Sequence, residues 1–304
     1  MPHLSDRRSF LALLSALPFI PDAVAQADAT YHTPLARPDV RTVSAAKDRT
    51  VAVSRWAARG RRKGVIAFSH GFGSSPGYYP DFIKAWIGAG YDILAPLHVD
   101  SREYGQPGKF DGPAGWAARI EDMRAVSRMI GGDYVAAGHS YGALTALVMC
   151  GVDAVVPPGI VAPLTDPHAT CAIAFSPPGA TPTLVTAEGF AGLARPALIQ
   201  TGTRDIPLAP GTPRVEGWRT HLTAFAKAPA TGGHYGLVLE GVDHYFGGLI
   251  CDYSKSGPDQ RAALTVAMQY SLAFLKAHAR REANGDAGKM PAFPPSPLAR
   301  LTRR

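Results

Sequence analysis

Three polar side chains in the sequence have the types and the chain order that nucleophilic attack on a carbonyl requires. Ser140 lies in Gly-His-Ser-Tyr-Gly, residues 138–142, and Asp205 and His244 follow it along the chain. A serine hydroxyl attacks a carbonyl carbon when a base removes its proton, and a histidine oriented by a carboxylate is well suited to this task. The pattern therefore indicates acyl-transfer chemistry, with Ser140 as nucleophile, His244 as base and Asp205 as the orienting acid.

The surroundings of Ser140 support this role more than the five-residue motif does. An apolar run, residues 134–137, precedes the motif, and a second apolar run, residues 143–149, follows it. Gly-x-Ser-x-Gly between a strand and a helix places the serine on a sharp turn, and glycines let the two elements approach closely. The motif alone arises by chance in roughly one or two chains in ten, so the interpretation depends on this context.

The acid is predicted from its place at the end of a strand. Asp205 follows an apolar stretch, residues 196–201, so we expect its carboxylate at the same sheet edge as Ser140. A turn aspartate without a catalytic role is the alternative interpretation. Asp166 is the second candidate acid, but no strand precedes its proline-rich loop.

The base is predicted in the same way. His244 follows the apolar stretch 235–240, whereas His234 precedes that stretch and is expected at the opposite edge of the sheet. His221 lies in a helical insertion, and Asp243 is interpreted as a residue that shapes the turn. His244 is therefore the histidine that can lie between the hydroxyl and the carboxylate.

An oxyanion intermediate needs two backbone N–H donors. Tyr141, directly after the nucleophile, is predicted to supply one, and Phe72, in Ser-His-Gly-Phe-Gly (residues 69–73), to supply the other. His70 is interpreted as a structural residue that holds this loop. Four aromatic residues that flank the catalytic loops are candidates for the substrate pocket: Tyr78, Tyr79, Tyr245 and Phe246.

Short apolar runs that alternate with helical patterns position these residues. The predicted strands are residues 51–56, 65–69, 91–95, 134–137, 171–175, 196–201 and 235–240. The predicted helices are residues 79–89, 115–130, 141–150, 218–227 and 259–281. This alternation predicts an α/β fold with a doubly wound, mostly parallel sheet, helices on both faces and no large cap domain.

Composition excludes several classes of protein. The 304 residues are 46% hydrophobic and 18% charged, as in a globular protein. The net charge of +7 accompanies no dense basic stripe with interleaved aromatics, so nucleic-acid binding is not expected. The three cysteines lack metal-ligand spacing, and neither a metal nor a cofactor is predicted. Cys150 and Cys171 are expected near one sheet edge and form a possible disulfide, which would leave Cys251 free.

The two ends of the chain have their own compositions. Residues 1–27 contain a twin-arginine start, a short apolar stretch and an Ala-Gln-Ala site, which predicts a removable twin-arginine export signal. This implies a bacterial periplasmic or secreted protein that meets the twin-arginine export machinery transiently and keeps no stable membrane anchor. Residues 28–283 are predicted to form the folded domain, and residues 284–304 a flexible, basic, proline-rich tail.

The ordered set of motifs resembles the α/β-hydrolase superfamily. The resemblance covers residues 51–276, and within the superfamily the chain is similar to predicted dienelactone-hydrolase and platelet-activating-factor-acetylhydrolase-like esterases. True dienelactone hydrolases carry a cysteine nucleophile where this chain has Ser140. The resemblance implies the triad roles of Ser140, Asp205 and His244, with the Phe72 and Tyr141 amides as oxyanion donors.

We therefore expect an exported serine hydrolase that cleaves small-molecule carboxylic esters through an acyl-enzyme. Acyl transfer, or hydrolysis of lactones or thioesters, is the alternative on the same residues. A catalytically silent binding protein on the same scaffold is the alternative from another class.

Overall fold

The predicted alternation of strands and helices is present in the computed structural model, which describes residues 35–106, 109–207, 215–280 and 288–304. Nine strands in these ranges form one sheet. The strands are β1 Asp39–Ala46, β2 Arg49–Trp56, β3 Gly64–Ser69, β4 Tyr91–Pro96, β5 Tyr134–His139, β6 Ala169–Phe175, β7 Ala197–Gly202, β8 His234–Leu239 and β9 Ala299–Arg303. The helices are α1 Pro80–Gly88, α2 Pro113–Ile130, α3 Tyr141–Met149, α4 Thr223–Lys227 and α5 Arg261–His278.

The sheet is mostly parallel, as the sequence predicts. Its strand order is β1-β2-β4-β3-β5-β6-β7-β8-β9. The six neighbouring strands β4, β3, β5, β6, β7 and β8 run parallel. β1, β2 and β9 are antiparallel to their neighbours. Strands β4 to β8 are buried along their whole length, which explains their nearly continuous apolar sequences.

Helices cover both faces of the sheet and divide the core into two layers. One layer holds side chains of α1 and α5, and the other holds side chains of α2 and α3. Proline is the first residue of α1 and of α2. It has no N–H, and an N–H at this position would have no partner within the helix. Gly131 ends α2 in the left-handed conformation at φ 68°, where a side chain would be strained.

The two edge strands are missing from the sequence prediction. β1 lies before the first predicted strand, residues 51–56, and its burial pattern is mostly exposed. β9 falls in the predicted flexible tail, where Ala299–Arg303 pairs with β8. Edge strands face solvent and are often charged, so they lack the apolar pattern by which a strand is recognised.

The predicted tail is therefore wrong for residues 288–304. Met290 is buried and its N–H donates to the Tyr235 hydroxyl, and the Phe293 ring stacks on Tyr270 at 3.9 Å between centroids. Proline and basic residues make up much of this segment, so its composition does not reveal the few apolar residues that pack against the domain.

The predicted Cys150–Cys171 disulfide is contradicted, because the three described cysteines are free. Side chains alternate between faces along a strand. Cys171 of β6 therefore joins the α1 and α5 layer, while Cys150, directly after α3, joins the other layer. Burial raises the pKa of the Cys171 thiol to about 12, so it stays protonated at neutral pH.

Two predictions for the N-terminal part lie outside the structural description. The export signal, residues 1–27, and the start of the folded domain at residue 28 fall before the first described residue. Among the described helices, none combines the length and the hydropathy that a membrane span requires.

Candidate active site

Ser140 occupies a strained turn between β5 and α3. Its φ of 55° and ψ of −121° lie in a region that non-glycine residues rarely adopt, at a cost of about 1–3 kcal/mol. A Cβ at Gly138 would overlap the carbonyl oxygen of Gly142, and a Cβ at Gly142 would overlap that of Ser69. Both flanking glycines are thus required for strand, helix and the end of β3 to approach, as the motif predicts.

Asp205 lies three residues after the end of β7 and is almost fully buried. Its Oδ2 accepts a hydrogen bond from the Thr201 hydroxyl at 3.0 Å, and its Oδ1 accepts one from Nδ1 of His244 at 2.8 Å. Burial alone would raise the pKa of the carboxyl, but His244 and His221 hold it well below its usual value. Asp205 is therefore ionised across the working pH range of most enzymes.

The His244 imidazole has a defined tautomer. Because a carboxylate oxygen accepts, Nδ1 of His244 carries the proton, which leaves the Nε2 lone pair available as a base. The side chain is 23% exposed, so substrate and solvent reach the ring. A Cβ at Gly202, the last residue of β7, would overlap the carbonyl of Val242, so this glycine lets the His244 loop lie against the acid.

A chain of hydrogen bonds joins the three loops that carry predicted site residues. The Gly71 N–H donates to the Tyr79 hydroxyl at 2.9 Å, and that hydroxyl lies 3.1 Å from Nδ1 of His139. Nε2 of His139 lies 2.9 Å from the His244 carbonyl, and since a carbonyl accepts, this nitrogen carries the proton. His139 precedes Ser140, so the chain connects the Phe72 loop, the nucleophile turn and the base loop.

The predicted oxyanion donors lie on two of these loops. Among the backbone hydrogen bonds of the described ranges, none uses the N–H of Phe72 or of Tyr141. His70 has the structural role that the sequence predicts: its Nδ1 donates to the Gly71 carbonyl at 2.8 Å, and its Nε2 accepts from the His98 N–H at 3.0 Å. These His70 contacts hold the loop that carries Phe72.

A buried arginine connects the two loops from beneath. Arg119 of α2 is fully buried and forms a bidentate ion pair with Asp100, at 2.8 and 2.9 Å. Its third nitrogen donates to the His70 carbonyl at 2.9 Å, and its guanidinium lies 4.4 Å from the centre of the Tyr141 ring. The sequence analysis does not single out Arg119; a charged residue on the apolar face of a predicted helix is the signal that could have found it.

Next to Arg119, a second Ser-His-Asp set makes triad-like contacts but is closed to solvent. It consists of Ser69, His98 and Asp122. The Ser69 hydroxyl lies 2.8 Å from Nε2 of His98, whose Nδ1 lies 2.8 Å from Asp122. All three are fully buried. Burial raises the pKa of Asp122 to about 6, against the opposing effect of Arg49. Since no substrate reaches these groups, we interpret them as support for the end of β3.

His221 contacts the predicted acid, which the sequence did not indicate. It lies in a 3-10 helix, Gly217–Leu222, and its Nε2 is 3.0 Å from Oδ1 of Asp205. The contact arises because this helix packs against the end of β7, a tertiary proximity with no local sequence signal.

Asp205, His221 and His244 each offer an atom that could bind a cation, and these atoms lie within 4.8 Å of one another. Nitrogens of both histidines lie at 2.8 and 3.0 Å from the same carboxylate oxygen. Ligand atoms around a tetrahedral zinc lie roughly 3.4 Å apart, since each is about 2.1 Å from the metal. The spacing therefore fits hydrogen bonds and ion pairs better than metal coordination.

Comparison with known proteins identifies the fold. No family model and no curated protein matches the sequence. Among solved structures, the apo form of Thermogutta terrifontis esterase 2 covers 81% of this chain and 96% of its own, at 18% identity and a TM-score of 0.56. The same esterase phosphorylated by paraoxon matches at 19% identity, covering 81% of this chain and 95% of its own, with a TM-score of 0.56. The esterase domain from a Rhodothermus marinus protein covers 81% of this chain and 100% of its own, at 13% identity and a TM-score of 0.51.

The chain has the α/β-hydrolase fold. The mostly parallel sheet with helices on both faces matches these structures over 81% of the chain, and the predicted fold class is confirmed. The narrower resemblance to dienelactone-hydrolase-like and acetylhydrolase-like esterases stays a prediction.

The four predicted pocket residues differ in how deeply they are buried in this α/β-hydrolase fold. Tyr79 is fully buried with its hydroxyl engaged, and Phe246 is 3% exposed in the core, so neither lines an open pocket as predicted. Tyr78 and Tyr245 are half-buried and remain candidates. The Tyr245 ring lies 5.1 Å from the His244 ring, and the Phe72 side chain is 71% exposed beside the oxyanion loop.

Proposed function

We propose that this chain is a serine hydrolase that cleaves carboxylic esters through Ser140, His244 and Asp205. The observation that carries the proposal is the 2.8 Å contact between Asp205 and Nδ1 of His244. The His244 loop is in turn hydrogen-bonded to His139, the residue before the strained Ser140. A hydrogen-bonded acid and base beside a turn-exposed hydroxyl form the arrangement that activates serine. The esterases that share the fold support the ester as substrate.

The proposed reaction has two halves. The Ser140 oxygen attacks the ester carbonyl while Nε2 of His244 takes the hydroxyl proton, and the N–H groups of Phe72 and Tyr141 donate to the resulting oxyanion. The intermediate collapses when His244 protonates the departing alcohol, which leaves an acyl group on Ser140. Water then attacks this acyl-enzyme by the same steps and releases the acid.

The exposed surroundings of the site favour small or surface-accessible esters. Within the described ranges, short 3-10 helices follow β3, β6 and β7, and no separate cap is present. Phe72, Tyr78 and Tyr245 give this opening an apolar rim, against which an acyl or alcohol group can pack.

The test compares the purified protein with Ser140→Ala on p-nitrophenyl esters of increasing acyl length. We expect turnover to fall by roughly 10⁴-fold or more in the variant, with the largest rates on short acyl chains. The paraoxon-phosphorylated neighbour motivates a second readout: paraoxon should inactivate the parent chain, and the Ser140→Ala variant should gain no phosphoryl mass. Undiminished turnover in that variant would exclude Ser140 as the nucleophile.

We also propose that the chain is exported by the twin-arginine route, on the basis of Arg7 and Arg8. Cell fractionation of the full chain tests this. The protein should accumulate outside the cytoplasm, and Arg7→Lys with Arg8→Lys should retain it inside; unchanged export of that double variant would contradict the route.

A further inference from the structure

The Asp205 carboxylate has a second imidazole partner besides His244. Nε2 of His221 lies 3.0 Å from Oδ1, the same oxygen that accepts from His244, and the His221 side chain is 4% exposed. The His221 and His244 rings lie 5.8 Å apart between centroids. Asp205 is thus enclosed by two imidazoles and the Thr201 hydroxyl, with 1% of its side chain exposed.

The partners of His221 fix its protonation. Nδ1 lies 2.8 Å from the carbonyl of Pro177, and since a carbonyl only accepts, Nδ1 carries a proton. A neutral ring would then direct the Nε2 lone pair at a carboxylate oxygen 3.0 Å away, which is repulsive. A second proton on Nε2 turns this contact into an ion pair. At this distance both the Nε2–H and the positive charge of the ring act on Oδ1.

We propose that His221 is a positioning residue of the site: a buried imidazolium that holds the Asp205 carboxylate through the same oxygen that accepts from His244. This inference rests on the proposed function, since it assigns a role to a residue that acts through Asp205. The resting site then contains two opposite charges, on His221 and Asp205, beside a neutral His244.

The charge on His221 bears on the proton transfer at His244. The two rings lie 5.8 Å apart, so the His221 cation repels the positive charge that His244 acquires when it accepts the Ser140 proton, and a variant without that cation should favour this charge more than the parent does. Burial alone would lower the pKa of His221, but Asp205 raises it above its usual value. Several other charged or titratable groups belong to the surrounding elements, among them Tyr245, whose ring lies 5.1 Å from the His244 ring. His139 is held neutral because burial and His244 keep its pKa far below the usual range, and the Arg219 guanidinium lies over the Trp218 ring.

The experiment measures the pH dependence of kcat/KM for p-nitrophenyl acetate from pH 4.5 to 8.5 with the parent chain and His221→Gln. Glutamine keeps an N–H donor near Asp205 but removes the charge. We expect the acidic limb to move upward by about 1 pH unit or more, with a smaller change in plateau kcat and an unchanged KM. A merely structural role would lower activity at every pH without moving the limb. An unmoved limb in a folded variant would overturn the proposal.

Two controls separate the possible failures. His168→Gln removes an exposed histidine and should leave the profile unchanged. Ser140→Ala tests the proposed function independently, because its full activity would reject the triad whatever His221 does.

A second measurement does not depend on the stability of the variant. Nitrogen NMR of the parent chain with ¹⁵N-labelled histidine should show both His221 ring nitrogens protonated at pH 7. One unprotonated ring nitrogen on His221 would contradict the imidazolium.

Discussion

At the scale of single residues, Arg119 contacts both walls of the proposed oxyanion site. It donates to the His70 carbonyl in one loop and lies against the Tyr141 ring at the start of α3. Asp100 neutralises its charge through two hydrogen bonds, so each charge of this buried pair has its partner. Removing one partner of such a pair costs about 3–5 kcal/mol, whereas a shorter cation changes geometry more than charge.

Arg119→Lys is therefore the informative substitution. Lysine keeps the charge near Asp100 but cannot reach Asp100, Ser69 and His70 together. We expect kcat on p-nitrophenyl acetate to fall about 10- to 100-fold with little change in KM, because the displaced N–H groups of Phe72 and Tyr141 no longer point at the oxyanion. Arg128→Lys, at the surface of the same helix, is the matched control and should behave as the parent. An unchanged kcat in folded Arg119→Lys would show that these contacts do not position the amides.

The difference between Asp205 and His221 explains what the sequence could and could not indicate. Asp205 and His244 follow strands, and the ends of parallel strands meet at one edge, so their contact could be inferred. His221 reaches the same region through helix packing, which no local pattern encodes, and the signal for Arg119 is only that of a charged residue on the apolar face of a helix. Tyr79 and Phe246 show the converse error, since sequence adjacency to a loop does not determine which way a side chain points.

At the scale of elements, β9 completes the sheet beside the strand that leads to His244. It pairs antiparallel with β8 over five residue pairs, from Tyr235↔Arg303 to Leu239↔Ala299. The Arg304 N–H also donates to the His234 carbonyl. Without β9, the backbone groups of β8 would form an open edge, which promotes aggregation.

Truncation after residue 298 should reveal this contribution. We expect the free energy of unfolding to fall by about 2–4 kcal/mol, since several backbone hydrogen bonds of about 1 kcal/mol each are lost. Urea denaturation followed by circular dichroism measures it. Arg300→Thr together with Arg303→Thr removes two charges but keeps strand-forming residues, and should stay within about 1 kcal/mol of the parent. Equal stability of the truncated chain would restore the interpretation of this segment as a mere tail.

The interior elements and the edge elements differ in how well a sequence predicts them. β4 to β8 are buried on both faces, so their residues had to be apolar and the runs were recognisable. β1 and β9 are held by backbone pairing, which places little demand on residue type. The sheet interior was therefore predictable, and its two edges were not.

At the scale of the whole molecule, buried neutral histidines couple folding to pH. Burial lowers the pKa of His234 and of His278 to about 4, with Arg304 and Arg303 adding to the effect. His70, His98 and His139 are shifted in the same direction, also mainly by burial. The opposing shifts include those of Asp122 and His221, whose raised pKa values favour the folded state as pH falls.

The sign of the effect follows from proton uptake. In the unfolded chain these histidines bind protons near pH 6.5, whereas in the folded chain they stay neutral until much lower pH. The stability they provide is complete above pH 6.5 and is lost as pH falls toward the folded values. For a shift from 6.5 to about 4, each histidine costs about 2 kcal/mol of unfolding free energy between pH 7.5 and 5.

His278→Phe should reduce this pH dependence. Phenylalanine takes up no proton and can pack beside Phe274 and Tyr235, whose rings lie 4.8 and 5.6 Å from the imidazole. We expect the difference in unfolding free energy between pH 7.5 and 5 to shrink by about 2 kcal/mol, as measured by urea denaturation at both values. His168→Phe, at an exposed position, should leave the difference unchanged. If His278→Phe keeps the full pH dependence, protonation of His278 does not limit stability in acid, and the loss must arise at the other buried imidazoles.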